Sequence, residues 1–246
     1  MDTHLLHPHH PLEELPRTRV QKLVRAVTSY YFIVLVVAIG FAYLFGWLAD
    51  EVNENEFGGV NRAILLTIHA YRSAALDRLA LDATWLGSFY GVALIAASLV
   101  LGLWILKRYV DLGTLAAVLI GASAMDITLK LFFHQARPQV FPPLIQETNY
   151  SFPSGHSLIS FALWGFFAWW IVSMGAREIW RWMLALLGIL IAVMVAVSRL
   201  YLGVHWPTDV LAGLFLGFGW VAVCAFGHRW LTRQARRDRK SQLHEA

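Results

Sequence analysis

Six stretches of this chain are apolar for long enough to cross a bilayer, and that constrains the fold more than any other feature. A helix needs about 20 apolar residues to span the hydrocarbon core, and only helices or closed barrels satisfy their backbone groups there. The stretches run 30–49, 85–106, 115–133, 158–174, 183–202 and 210–226. Residues 63–81 read differently. Ile64, Leu65, Ile68, Tyr71 and Leu79 are interrupted by His69, Arg72, Asp77 and Arg78, which predicts an amphipathic helix on the membrane surface or over the bundle. The expected fold class is therefore all-α: an integral membrane bundle of six transmembrane helices plus an amphipathic helix between spans 1 and 2. Only 15% of residues are charged, against about 25% in soluble domains.

Six spans put both termini on one side. The basic segment Arg17 to Arg25, the pair Lys107–Arg108, the Arg177/Arg181 loop and the tail from Arg229 all fall on that side, which the positive-inside rule makes cytoplasmic. Three regions follow: a cytoplasmic N-terminal tail (1–28), a membrane domain (29–228) and a basic cytoplasmic C-terminal tail (229–246). The acidic, Asn-rich stretch 50–61 reads as a loop. His4, His7, His9 and His10 belong to a polar N-terminal stretch that is expected to be a disordered tail rather than a metal site. The net charge is only +4, so the basic balance calls for no nucleic acid. A single cysteine, Cys224, excludes an intrachain disulfide and reads as a buried small hydrophobe. No cysteine cluster points to zinc, and nothing in the sequence specifies an oligomer.

Polar residues then gather where the spans end on the opposite face. Lys130 lies late in the third span and Arg137 follows seven residues later, just before Pro138. If helix continues that far, both side chains share a face. The loop 135–153 leads into Pro153-Ser154-Gly155-His156, where Ser154 suits an N-cap, Gly155 allows close backbone approach, and the helix start offers free N–H groups to an anion. Arg199 ends the fifth span. His205 stands before Pro207, which suits a first helical turn, and Asp209 lies within that turn. An Asp in reach of one imidazole nitrogen fixes the tautomer and aims the other outward. Cations, a hydroxyl, two histidines and a carboxylate form a set suited to gripping and attacking a phosphate. Taken singly, each has a plainer explanation: a snorkelling lysine, an interfacial anchor, a capped helix, an Asp stabilising a helix start. Asp126, one turn before Lys130, is placed to pair with it. His134 reads as an interfacial histidine. Glu147, Asn149 and Tyr150 read as solvated loop residues, with headgroup selection as the sharper alternative.

Together these residues resemble the three-part signature of the type 2 phosphatidic acid phosphatase family, shared with vanadium-dependent haloperoxidases. The parts are Lys130-(six residues)-Arg137-Pro138, Pro153-Ser154-Gly155-His156 and Ser198-Arg199-(five residues)-His205-(three residues)-Asp209, complete and in the family's order. The resemblance implies that His205 attacks phosphorus, Asp209 orients it, and His156 serves as acid and then base. It implies that Lys130, Arg137, Ser154, Gly155 and Arg199 hold the phosphoryl oxygens, with no metal or other cofactor. The implied partner is a lipid phosphate within the bilayer. The implied setting is a bacterial cytoplasmic membrane with the site on its outer face. Undecaprenyl diphosphate is the favoured substrate. The alternatives are a broad phosphatidic acid or phosphatidylglycerol phosphate phosphatase, a lipid phosphotransferase, and a transporter that turns nothing over.

Overall fold

The computed structural model describes residues 17–54, 57–175 and 177–245; the histidines at the chain's start lie outside them. Eight helices follow in order: α1 (Arg17–Glu54), α2 (Gly58–Ala70), α3 (Ala74–Leu86), α4 (Phe89–Ile105), α5 (Tyr109–Phe133), α6 (Gly155–Ser173), α7 (Ile179–Tyr201) and α8 (Pro207–Glu245). No strand occurs among the described residues. Five segments are long and apolar enough to cross a membrane: Tyr31–Val52, Tyr109–Phe133, Gly155–Ser173, Ile179–Tyr201 and Pro207–Ala235. α3 and α4 qualify only as a pair, bent by 51°. Read as one broken span they make a sixth; by single helices the count is five.

The stretch 85–106, expected as one helix, is thus interrupted at Gly87–Ser88. The Ser88 hydroxyl accepts from Gly91 N (3.2 Å) and starts a new helix. Gly87 packs so closely on α6 and α7 that a Cβ there would overlap Val195 and lie 3.2 Å from His156 Cδ2. The single amphipathic helix expected over 63–81 is likewise two, α2 and α3, with Ser73 capping the second by accepting from Leu76 N (3.4 Å). Its charges are partly used inward: Arg72 pairs with Asp77 (3.4 Å), and the Tyr201 hydroxyl of α7 donates to Asp77 Oδ1 (2.7 Å). Most of the expected 50–61 loop is helical, because α1 runs to Glu54 and α2 starts at Gly58. There Asn61 is buried and donates to Thr208 Oγ1 (3.2 Å).

α6 is the central helix, packed against α7, α8 and α5. Leu158, Phe161, Ala162, Leu163 and Phe166 on it are all buried. α8 approaches it through Gly213 and Gly217. A Cβ on Gly213 would lie 2.8 Å from Ser154 O, and one on Gly217 would lie 2.8 Å from Leu158 O. Small residues four apart let two membrane helices meet backbone to backbone. Large apolar side chains such as Phe32, Ile33, Leu186 and Leu190 remain exposed on the outside, where lipid is the solvent. Cys224 is partly rather than fully buried and packs against the core that α5, α6 and α8 share.

The far end of the bundle is tied separately. The turn after α4 passes through Lys107 with a positive φ of 55°. Arg108 Nε then donates to the buried Asp111 Oδ2 (2.5 Å), whose other oxygen lies 3.3 Å from His228 Nε2. The start of α5 is therefore fastened to the distal half of α8. The end of α5 and the start of α8 meet at the opposite end, where the motif residues gather.

Candidate active site

The Pro153-to-His156 segment is held rigidly. Ser154 caps α6, its hydroxyl accepting from Ser157 Oγ (3.0 Å) and Ser157 N (3.5 Å). Its own backbone N–H donates to Asp209 O (3.0 Å), which fixes this segment to the start of α8. Gly155 faces Asp126; a Cβ there would lie 2.7 Å from Oδ1 and 2.8 Å from Oδ2. A side chain there would push the Asp126 carboxylate out of place. His156 is in the first turn of α6, and its ring lines a cavity rather than bonding to a described side chain.

His205 is positioned by the turn between α7 and α8. Gly203 takes a φ of 76°, which favours glycine, and Phe141 packs over it. His205 is 2% exposed and Asp209 is fully buried. His205 Nδ1 lies 3.3 Å from Asp209 Oδ2 and 3.4 Å from Ser151 Oγ. The same carboxylate oxygen accepts from Trp206 N (2.8 Å) and from the Ser151 hydroxyl. On the other side, Arg137 Nη1 donates to His205 Nε2 (3.2 Å). A guanidinium can only donate, so Nε2 must accept and the ring proton must sit on Nδ1, facing Asp209. The lone pair thus points away from Asp209, as the motif spacing predicts. Burial first, then the charges of Arg199, Arg137 and Lys130, lower the proton affinity of His205 well below its ordinary 6.5. It is held as neutral imidazole.

The three cations come from three places. Lys130 is buried late in α5, and Nζ donates to Asp126 Oδ1 (2.5 Å), the pairing expected from the sequence. Arg137 does not continue that helix. His134 closes α5 in the left-handed region (φ 48°), so Lys130 and Arg137 share no helical face; Pro138 accounts for the chain's turning out. Arg137 instead staples the loop: Nε donates to Asn149 O (2.8 Å), Nη1 to Val204 O (2.7 Å), and Nη2 to Asn149 Oδ1. Arg199, 1% exposed, donates to Thr84 Oγ1 (2.6 Å) and to Glu147 Oε1.

One cavity of about 340 Å³ joins these parts. Its polar end is lined by Asp126, Lys130, Arg137, Gly155, His156 and His205. Its other end runs between α4 and α5 along Val92, Ala93, Ala96 and Leu119 and is apolar. Both expected histidines therefore face one space, with Lys130, Arg137 and Gly155. Ser154, Arg199 and Asp209 stand behind its wall: Ser154 is engaged in its cap, Asp209 backs His205, and Arg199 is covered by Glu147. His134 does not reach the cavity; its ring packs edge-on to Tyr150. Sequence reading missed Ser151, Thr84 and the inward use of Glu147. Ser151 has a weak local signal, a hydroxyl beside the Pro153 motif, whereas Thr84 has none. Among the described residues, no group of three or more His, Cys, Asp or Glu side chains is arranged to hold a metal.

The profile of the PAP2 superfamily matches residues 111–233, the part of the chain that carries all of these motifs. An undecaprenyl-diphosphatase of Sulfolobus acidocaldarius is 32% identical over 205 residues, covering 78% of this chain and 88% of that protein. Phosphatidylglycerophosphatase B of Bacillus subtilis is 30% identical over 172 residues, covering 69% and 84%. The crystal structure of a transmembrane PAP2 type phosphatidylglycerolphosphate phosphatase from Bacillus subtilis superimposes with a TM-score of 0.71 at 26% identity, covering 76% of this chain and 94% of that one. With several helices apolar enough to span a bilayer and this match across the motif-bearing half, the chain is an integral membrane protein of the PAP2 superfamily.

Proposed function

We infer that the protein is a lipid phosphatase that hydrolyses a membrane lipid phosphate or diphosphate through a phosphohistidine. The observation that carries this reading is the single cavity with two histidines at a cationic end and an apolar slot at the other. A lipid phosphate has that same division, and its headgroup would sit among Lys130, Arg137 and His205 while its chain lies between α4 and α5.

His205 Nε2 attacks phosphorus as the bond to the leaving oxygen breaks. The imidazolium that forms keeps its proton on Nδ1, which donates to Asp209 Oδ2. His156 gives its proton to the leaving oxygen, then takes one from the water that attacks the phosphohistidine, and the nitrogen–phosphorus bond breaks to release phosphate. Lys130, Arg137 and Arg199, with the Gly155 N–H and Ser154 at the helix start, offset the charge on the phosphoryl oxygens. Three cations supply what a divalent ion supplies in other phosphoryl-transfer sites, so EDTA is expected to leave the rate unchanged.

We favour undecaprenyl diphosphate as substrate, at the outer face of a bacterial cytoplasmic membrane with both termini inside. The undecaprenyl-diphosphatase relative supports the substrate. Support for the orientation comes from Lys107 and Arg108, at the end of the bundle opposite the site, and from the basic run that follows His228. Phosphatidylglycerol phosphate is the second reading, supported by the Bacillus relatives. Phosphate release from undecaprenyl diphosphate, phosphatidylglycerol phosphate, phosphatidic acid and a water-soluble diphosphate, in detergent, tests both. The lipid diphosphate should give the highest kcat/KM. Equal turnover of the water-soluble compound would count against a lipid substrate, and no turnover at all would remove the enzyme reading. Adding lipid acceptors to the same assay separates hydrolysis from phosphotransfer.

The pH profile follows from the neutral His205. Protonation removes its lone pair, and the lowered proton affinity moves that event to pH values below 6.5. The acid limb of kcat/KM, corrected for the substrate's own ionisation, should therefore lie below 6.5. A limb centred at or above 6.5 would contradict a buried, neutral nucleophile.

A further inference from the structure

The three motif cations are not equally reachable. Lys130 and Arg137 line the cavity, whereas Arg199 is 1% exposed and does not. Its guanidinium is closed off by Thr84 and Glu147. Glu147 engages both arginines: Oε1 accepts from Arg199 Nη2, and Oε2 lies 3.8 Å from Arg137 Nη2. One carboxylate thus straddles two guanidinium groups, an oxygen to each, as two oxygens of a phosphoryl group would. Arg199 Nε is also buried without a partner, a donor that the present arrangement leaves unused.

Charge bookkeeping points the same way. Lys130, Arg137 and Arg199 are matched by three carboxylates, Asp126, Glu147 and Asp209. A seat already neutralised attracts a phosphate dianion weakly unless one carboxylate leaves. Asp126 lies one helical turn from Lys130 and against Gly155, so it is fixed by α5. Asp209 is fully buried and backs His205. Glu147 is on the loop between α5 and α6, with its side chain 24% exposed. It is the one that can swing away. It also stands at a boundary: Glu147 and Arg137 line both the catalytic cavity and a second, open cavity of about 640 Å³, formed by the loop from Pro138 to Thr148 with Gly203 and Val204.

We propose that Glu147 is a resident anion in the phosphate seat and the partition between the lipid-lined cavity and the loop-side cavity. The phosphoryl group of the substrate displaces it to reach Arg199. Its return, after hydrolysis, drives inorganic phosphate out through the loop side. The proposal rests on the phosphatase reading, and its test is arranged so that the two fail separately.

Glu147→Gln keeps the size of the side chain and an oxygen that accepts from Arg199, and removes only the competing charge. Affinity for inorganic phosphate, read from the thermal shift of detergent-solubilised protein and from competitive inhibition, should tighten by about tenfold. With a lipid substrate, KM and kcat should fall together, because the substrate is held better and the product leaves more slowly. A phosphate affinity that is unchanged or weaker in Glu147→Gln would overturn the proposal, since Glu147 would then be supporting Arg199 rather than competing for it. If the glutamine variant does not fold, Glu147→Asp retains the charge but withdraws it from Arg199. It should tighten phosphate binding by a smaller factor, and no tightening overturns the proposal. If phosphate stabilises neither the wild type nor the variants, the anion seat itself is absent and the phosphatase reading falls with it.

Discussion

His205→Ala should lose at least about a thousandfold in kcat, because on the proposed mechanism His205 is the group that forms the covalent intermediate. The measurement is phosphate release by purified protein, paired with acid-lability of phosphate bound to the enzyme after rapid quench. Wild type should carry an acid-labile phosphoryl group during turnover, and His205→Ala should carry none. The geometry makes the expectation specific. Nε2 faces the cavity and accepts from Arg137 Nη1, while Nδ1 is committed to Asp209. The ring needs no flip before attack; Arg137 Nη1 has only to release the Nε2 lone pair. Near-normal turnover in the variant would mean that a different group, or water directly, attacks phosphorus. Loss of turnover with retained lipid flux across vesicles would instead favour a transporter.

Gly213→Val should be severely damaging although Gly213 lies outside the motifs. The added Cβ would lie 2.8 Å from Ser154 O and 2.9 Å from Leu158 N, both backbone atoms that cannot rotate aside. α8 and α6 must separate, and with them the two halves of the site. The Ser154 N to Asp209 O hydrogen bond crosses the same contact. Overpacking of this kind costs about 1–3 kcal/mol or more, and a shift of about 1 Å between reacting groups costs about a hundredfold in rate. The expected result is a lower melting temperature in detergent and a kcat reduced by about two orders of magnitude. Gly219→Ala, on the same helix, is the control: a Cβ there meets the Phe41 side chain, 3.1 Å from Cβ and 3.9 Å from Cγ, and no α6 backbone atom. Equal effects of the two variants would show that close approach of α8 to α6 does not set the site.

Much of the fold was legible because membrane spans are written in hydropathy. The runs around Tyr31–Val52, Tyr109–Phe133 and Ile179–Tyr201 have no alternative in a chain this apolar. Where the reading departed from the structure, the cause was a contact distant in sequence. The 85–106 run looked continuous because nothing local reveals that Gly87 must pass beside Val195 and His156. Residues 63–81 read as one amphipathic helix, on the membrane surface or over the bundle, because local spacing does not show which charges turn inward. Asp77 instead answers Tyr201, 124 residues away. Lys130 and Arg137 share a helical face only if α5 continues to Arg137; His134 ends it between them, and only the loop's return brings Arg137 to His205.

The candidate site divides along the same line. Residue types at fixed spacings pick out His156, His205, Asp209, Lys130, Arg137, Ser154, Gly155 and Arg199 as candidates, because a phosphate needs donors, a base and a nucleophile whatever surrounds them. Local spacing also placed Asp126 beside Lys130 and Asp209 beside His205, since groups four apart on or near a helix meet by geometry alone. Spacing says nothing about which cation is open and which is covered. That Glu147 sits over Arg199 depends on a loop between α5 and α6 folding back across the end of α7, and no local pattern encodes a contact 52 residues long. The same holds for the cavity joining both histidines to an apolar slot, whose lining comes from α4, α5, α6, the loop between α5 and α6 and the turn before α8. The sequence by itself determined the bundle and the candidate phosphate-handling groups, which follow from local hydropathy and spacing. The tertiary structure decided their access and their partners, which follow from long-range packing.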